Sequence, residues 1–151
     1  MITIGIRAAP TTVTFAVYDS DKREVVNVEE IKIPAAFSTP DALKYLRCNL
    51  LDVLREYKVA KAGIRASEPS AQHSSIERIQ IEGVIQETFA SSDLTAYYVG
   101  HISSISSRAG IVRTDFKLLV SGEKDNGIDN WKNMSVVERE ALLCAVGAVN
   151  A

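Results

Sequence analysis

The sequence has little of what would assign it quickly. It holds two cysteines, Cys48 and Cys144, far apart and in no C-x-x-C or metal-ligand spacing. Both fall in apolar, helix-like stretches, so both read as small buried hydrophobes, which suits a reducing, cytoplasmic setting. No apolar run approaches the roughly 20 residues needed to span a bilayer. Met1-Ile2-Thr3-Ile4-Gly5-Ile6-Arg7 carries no basic leader before a long apolar stretch, so no signal peptide is expected. Neither charge sign dominates: 17 Lys+Arg face 19 Asp+Glu, a net −2. That excludes a chain whose whole surface attracts DNA or an acidic membrane, but a local basic site is compatible with it. The phosphate loops G-x-x-x-x-G-K-[ST] and G-x-G-x-x-G are absent, as is the G-x-S-x-G nucleophile elbow. There is no low-complexity tract and no solenoid-length repeat.

What is present suits one domain over residues 1–151, with 46 % hydrophobic residues and a core large enough to need no staples. Residues 2–7 read as a buried strand, and Ala8-Ala9-Pro10 as a turn. Residues 11–18 alternate, with Val13, Phe15 and Val17 opposite Thr12, Thr14 and Ala16, the pattern of a half-buried strand. Asp19-Ser20-Asp21-Lys22 is a hairpin turn into a third strand marked by Val25, Val26, Val28, Ile31 and Ile33, irregular near Glu29-Glu30. Ser38-Thr39-Pro40-Asp41 opens a helix, with Thr39 as cap and Pro40 in its first position. Leu43, Leu46, Leu50, Val53, Leu54 and Tyr57 then recur at helical spacing.

Lys61 to Ala66 reads as a fourth strand, parallel to the first through a right-handed crossover. Ser74 and Glu77 are spaced as a capping box for a second helix with Ile76, Ile79, Val84, Ile85 and Phe89 as its apolar face. Gly83 within it suggests close helix–sheet contact. Thr95 to Val99 is a fifth strand. Residues 100–134 are irregular, with a short helix or strand between Ile105 and Val120 and a long loop marked by Gly122, Asn126, Gly127, Asn130 and Asn133. Ser135 and Glu138 form another capping box, for a last helix with Val137, Ala141, Cys144, Ala145 and Ala148 on one face. The order β-β-β-α-β-α-β-(loop)-α predicts an α/β fold with a mixed five-stranded sheet, three strands antiparallel and then two parallel, and helices on both faces.

This order, together with Ile4-Gly5-Ile6-Arg7-Ala8-Ala9-Pro10, Ala62-Gly63-Ile64-Arg65-Ala66, Gly83-Val84-Ile85 and Glu140-Ala141-Leu142-Leu143-Cys144-Ala145, resembles the RNase H-like superfamily. Within it the chain looks most like small RuvC-type resolvases and related uncharacterised bacterial families, over residues 2–148. The resemblance implies a three-layer RNase H-like fold. In active members, carboxylates at these positions hold two divalent ions about 4 Å apart that cut a phosphodiester. Here Arg7 stands where the first strand ends in Asp (G-I-D-x-G), Arg65 at the Glu position, and Val137 at the first acidic position of the last helix. Only Glu140 falls on a family carboxylate. A guanidinium has donors only and cannot ligate a cation. Actin-like ATPases share the core of the fold, but their strand-one Asp is also missing and the chain is too short for their two domains.

Gly-Ile-Arg occurs at 5–7 and again at 63–65, on strands expected to be neighbours. Arg7 and Arg65 therefore point to an anion pocket for phosphate or a nucleic-acid backbone. The other reading, the one favoured, is that each pairs with a nearby carboxylate, Glu68 or Glu140, and replaces a lost metal site with a salt bridge. Glu68 and Glu140 are the candidate catalytic acids, while Glu138 is accounted for by its capping box. His73 and His101 read as surface loop histidines. Trp131 reads either as an exposed anchor or as a pin holding its loop to the core, and Lys132 joins Lys117, Lys124, Arg108 and Arg113 in a mildly basic segment beside the pocket. The expectation is a catalytically inactive RuvC-like module that binds nucleic acid or protein, with no metal and no cofactor. The alternatives are a nuclease using Mg²⁺ or Mn²⁺ on a rearranged set of Glu68, Glu138, Glu140 or Asp115, and a phosphate or nucleotide sensor at the same edge. A homodimer is compatible with the resemblance, and a membrane partner is not expected.

Overall fold

The computed structural model describes residues 1–69 and 75–151. Five strands, β1 (Ile2–Ala8), β2 (Thr12–Asp19), β3 (Glu24–Lys32), β4 (Lys61–Arg65) and β5 (Ala96–Gly100), form one sheet in the order β3-β2-β1-β4-β5. The β1–β2 and β2–β3 pairs are antiparallel, and the β1–β4 and β4–β5 pairs are parallel. Helices α1 (Thr39–Glu56) and α2 (Ile76–Ser91) cover one face. Helices α3 (Ile102–Ala109), α4 (Phe116–Ser121) and α5 (Val136–Ala148) cover the other. The expected α/β fold with a mixed five-stranded sheet is the one observed. Among the described residues no helix is long and apolar enough to cross a membrane.

Strand alternation sorts the side chains into two cores. Ile4, Ile6, Val13, Phe15 and Ile64 pack against Leu46, Leu50, Ile81, Ile85 and Phe89 of α1 and α2. On the other face Ala16, Tyr18 and Tyr98 meet α3, α4 and the small residues Ala141, Cys144, Ala145 and Ala148 of α5. β2 is therefore buried on both faces, Thr14 and Ala16 included, and is not the half-buried strand its alternation suggests. The alternation arises because bulky residues face α1 and α2 while small ones sit opposite.

Closeness to α5 explains the small residues. A Cβ on Gly5 would stand 1.9 Å from the Ala141 carbonyl oxygen and 2.2 Å from the Ala145 nitrogen, and one on Gly63 would stand 2.3 Å from the Tyr98 ring. The buried Thr3 hydroxyl donates to the Ala145 carbonyl (2.7 Å), and Tyr98 donates to that of Cys144 (2.9 Å). The capping box of α5 forms as expected: Ser135 Oγ accepts from Glu138 N–H, and the Glu138 carboxylate accepts from Ser135 N–H.

Several local expectations are corrected. Ser38 precedes the first turn of α1 where Thr39 is expected. The irregularity of β3 lies at Val26, skipped between the pairs Tyr18–Val25 and Val17–Asn27, while Glu29 and Glu30 pair in register. Ser75, not Ser74, caps α2, accepting from Arg78 N–H (3.2 Å). Ser74 and His73 lie outside the described residues. Ile76 and Ile79 are exposed because α2 buries the series Ile81, Ile85, Phe89 instead. Gly83 faces solvent, and a Cβ added there would have nothing within 4 Å, so it marks no close contact. Residues 100–134 are largely helical. Gly110 (φ 70°) and Gly122 (φ 84°) stop α3 and α4, and the loop is confined to the short link 110–112 and to residues 122–130 before the turn Trp131–Asn133. Cys48 is exposed, since it projects from α1 away from the Leu46, Leu50, Leu54 stripe; Cys144 is buried.

These contrasts give two tests. Gly5→Ala should cost at least about 3 kcal/mol, because backbone must move to admit the methyl. Gly83→Ala should gain about 0.5–1 kcal/mol from helix propensity. Paired denaturation curves check both. Burial pushes the Cys144 thiol up from its ordinary 9.0. A thiol reagent at neutral pH should therefore label Cys48 alone until the chain unfolds. Folded and unfolded chains both keep the Cys144 proton below that ordinary value, so its contribution to stability declines only as pH rises above it, where the unfolded chain ionises first.

Candidate functional site

Parallel register places Arg7 directly beside Arg65 at the carboxyl ends of β1 and β4. The two Gly-Ile-Arg runs act alike: glycine lies under α5, isoleucine enters the opposite core, and arginine emerges on the α5 side at the sheet edge. Helix α5 descends antiparallel to β1, from Glu140 opposite Arg7 to Ala145 opposite Thr3. The adjacency expected of Arg7 and Arg65 is thus observed, and so is their pairing with carboxylates.

Arg7 Nε donates to Glu140 Oε2 and its Nη1 to the Ala8 carbonyl (2.8 Å). Arg65 Nη1 lies 3.2 Å from Glu68 Oε1 and also donates to the Ala66 carbonyl. A third pair completes the group. Arg78 Nε donates to Glu82 Oε2 (2.8 Å), and the same carboxylate accepts from Ser67 N–H (3.0 Å) and Ser67 Oγ (2.8 Å). Burial pulls the Arg78 guanidinium below its ordinary range, and the positive charges of Arg7 and Arg65 add to the effect against the opposing pull of Glu82. Three guanidiniums therefore share one electrostatic neighbourhood, each with its own glutamate.

Glu68 reaches further than its partner arginine. Its Oε1 accepts from the backbone N–H of Ile102, the first residue of α3 (3.0 Å), and its Oε2 lies 3.8 Å from His101 Nδ1. His101 is therefore part of this cluster and not a plain surface residue. Arg65 Nε, Arg78 Nη2 and His101 Nδ1 are buried atoms with no hydrogen-bond partner among the described residues. No three His, Cys, Asp or Glu side chains gather to hold a metal ion among the described residues.

The remaining candidates lie elsewhere. Trp131 is 1 % exposed; its indole donates to the Leu119 carbonyl (3.1 Å), so it pins the loop and cannot be an exposed anchor. Buried Arg139 locks the same corner through the carbonyls of Trp131, Val120 and Lys132. Lys132 is exposed, but its neighbours Gly127, Ile128 and Asn130 line a cavity with Arg23 and Glu24. Glu24 pairs with Asp19, which pairs with Ile2, so residues 127–130 reach the end of the sheet opposite Arg7, while Lys132 is held to α5 by its carbonyl on Arg139. Lys124 pairs with Asp115 (2.7 Å), and Arg108 stacks 4.7 Å above the Tyr98 ring.

Sequence reasoning missed Arg78, Glu82, Ser67 and the Ile102 amide. The available signal was the four-residue spacing of Arg78 and Glu82 combined with the place of Glu82 in the buried Ile81–Ile85 stripe. Trp131→Ala should cost about 3–5 kcal/mol in stability, as expected for a core aromatic. A variant as stable as the parent in thermal and urea melts would return Trp131 to the surface.

No protein-family model matches the chain, and no curated protein matches its sequence. Solved structures do match. The Thermus thermophilus RuvC structure superposes with a TM-score of 0.74 at 13 % identity, covering 97 % of this chain and 92 % of that one. T. thermophilus RuvC in complex with a Holliday junction substrate gives 0.72 at 12 %, covering 97 % and 91 %. The fowlpox virus Holliday junction resolvase gives 0.51 at 11 %, covering 99 % and 95 %. At such identities the likeness is one of fold, and the chain has the RuvC-like form of the RNase H fold.

Proposed function

We propose that this chain binds nucleic acid through the Arg7–Arg65–Arg78 edge and does not cut it. The observation that carries the reading is the register pairing of Arg7 with Arg65 at the carboxyl ends of the central parallel strands. In open α/β sheets that edge is where ligands bind. Guanidiniums there offer fixed, bidentate donors that suit phosphate oxygens. The RuvC neighbour bound to a Holliday junction makes nucleic acid the natural class of partner.

The donor set does not suit Mg²⁺ or Mn²⁺. Hard cations require oxygen ligands, and two strand-end positions carry guanidiniums that repel a cation. The carboxylates nearby are each engaged: Glu140 by Arg7, Glu68 by Arg65 and the Ile102 amide, Glu82 by Arg78 and Ser67. Two further acids have other work, since Glu138 closes the α5 cap and Asp115 pairs with Lys124. On this reading no hydrolytic step is assigned to the chain.

Branched and single-stranded DNA or RNA, incubated with the protein and Mg²⁺ or Mn²⁺, should remain intact while being retained in a gel shift. Metal-dependent cleavage abolished by Glu140→Gln would overturn the reading. Arg7→Ala and Arg65→Ala, each checked for folding by circular dichroism, should weaken binding. Each should also flatten the plot of log affinity against log salt by about 0.7–0.9 for every phosphate that the variant no longer neutralises. Unchanged affinity and slope in both variants would take these arginines out of the interface.

A further inference from the structure

The three glutamates that face the arginines are not held alike. Glu140 sits on α5 with its side chain 13 % exposed, and Glu82 sits on α2 at 7 %, fixed by Ser67 and Arg78. Glu68 lies in the connection after β4, three residues past Arg65 and just before Pro69, with its side chain 31 % exposed. It is the one carried by neither a helix nor a strand.

The place that Glu68 fills has the form of an anion site. Arg65 Nη1, the Ile102 N–H at the first turn of α3, and His101 Nδ1 converge on its carboxylate. The Arg65 side chain is nine-tenths buried, and its Nε lacks a partner among the described residues, as does His101 Nδ1. With Glu68 in place, two buried nitrogens beside it thus stay unpaired among the described residues. A phosphate group presents more oxygens, and it is well matched to a helix N-terminus backed by a guanidinium. A phosphodiester carries one negative charge, so exchanging it for Glu68 keeps the site's charge balance.

We propose that Glu68 is an internal stand-in for a backbone phosphate of nucleic acid, occupying the Arg65–Ile102–His101 site in the free chain and displaced when the ligand arrives. This rests on the nucleic-acid reading above for the source of the phosphate. The site itself needs only the phosphate chemistry. Because the free chain must first release Glu68, its affinity is reduced by the small fraction of molecules in which the site is open.

The test compares the parent with Glu68→Gln, which keeps the shape and an acceptor for Ile102 but removes the competing charge. The probes are inorganic phosphate and a single-stranded oligonucleotide, each titrated at constant ionic strength. Glu68→Gln should bind both about fivefold or more tightly than the parent, because the competing anion is gone. Glu24→Gln, which changes the net charge equally at the exposed end of the sheet opposite Arg7, should stay within about twofold of the parent, as expected of a screened surface charge. In amide NMR, the Ile102 resonance should be among the first to move with phosphate. Equal or weaker phosphate binding by a folded Glu68→Gln, or an Ile102 amide unmoved at saturation, overturns the proposal. Tighter phosphate binding with no oligonucleotide bound by either protein keeps the site and removes the nucleic-acid reading. Oligonucleotide binding with a silent Ile102 does the reverse.

Discussion

The contact on which the rest depends is that of α5 with the floor made by Gly5 and Gly63. Without side chains at these two positions, the backbone of α5 can lie against β1 and β4 at distances that no Cβ would permit. That approach fixes the height and direction of the helix. Thr3 and Tyr98 tie it down by donating to its Ala145 and Cys144 carbonyls. Two residues beyond each glycine an arginine stands on the same face, at the last or next-to-last position of its strand, so the packing contact also aims the charged side chains. Glu140 meets Arg7 because Ala141 meets Gly5 one residue further along.

A group of three arginines and three glutamates, much of it buried, is costly to assemble. Removing such charges from water costs several kcal/mol per ion, and only good geometry with satisfied hydrogen bonds offsets the loss. The structure meets that condition unevenly. Glu82 takes hydrogen bonds from a backbone amide, a hydroxyl and a guanidinium. Arg65 Nε and Arg78 Nη2 have none among the described residues. A fold free to choose could replace such pairs with apolar side chains at no loss of stability. On the proposed reading, the donors left over at this sheet edge are capacity for a ligand.

Much of this was legible in the sequence, for local reasons. Strand order, the Ser135–Glu138 cap and the juxtaposition of Arg7 and Arg65 follow from alternation, capping chemistry and a repeated tripeptide. What was hidden depends on the third dimension. Arg78 and Glu82 read as an ordinary surface pair at i, i+4, and only the way α2 meets the β4 connection brings Ser67 to them. Trp131 could be placed in the core only once α4 supplied the Leu119 carbonyl for its indole. Helices α3 and α4, with 8 and 6 residues, are too short for a 3.6-residue period to stand out from their serines and lysines. Gly83 shows the converse error: a glycine within a helix looks like a packing device until its neighbourhood proves empty.

The separation of scaffold from edge would let the fold persist under the change of sign that the proposed reading implies. Gly5, Gly63, the small face of α5 and the apolar layers under α1 and α2 lie below the carboxyl ends of the strands, while Arg7 and Arg65 stand at those ends. Arg7 and Arg65 belong to neither apolar cluster, so an exchange of acid for base there leaves the cores untouched. The net −2 of the chain conveys nothing of this, because it sums over all faces. What a phosphate would meet is set locally, by whether the one loop-borne carboxylate, Glu68, stays on Arg65 or yields its place.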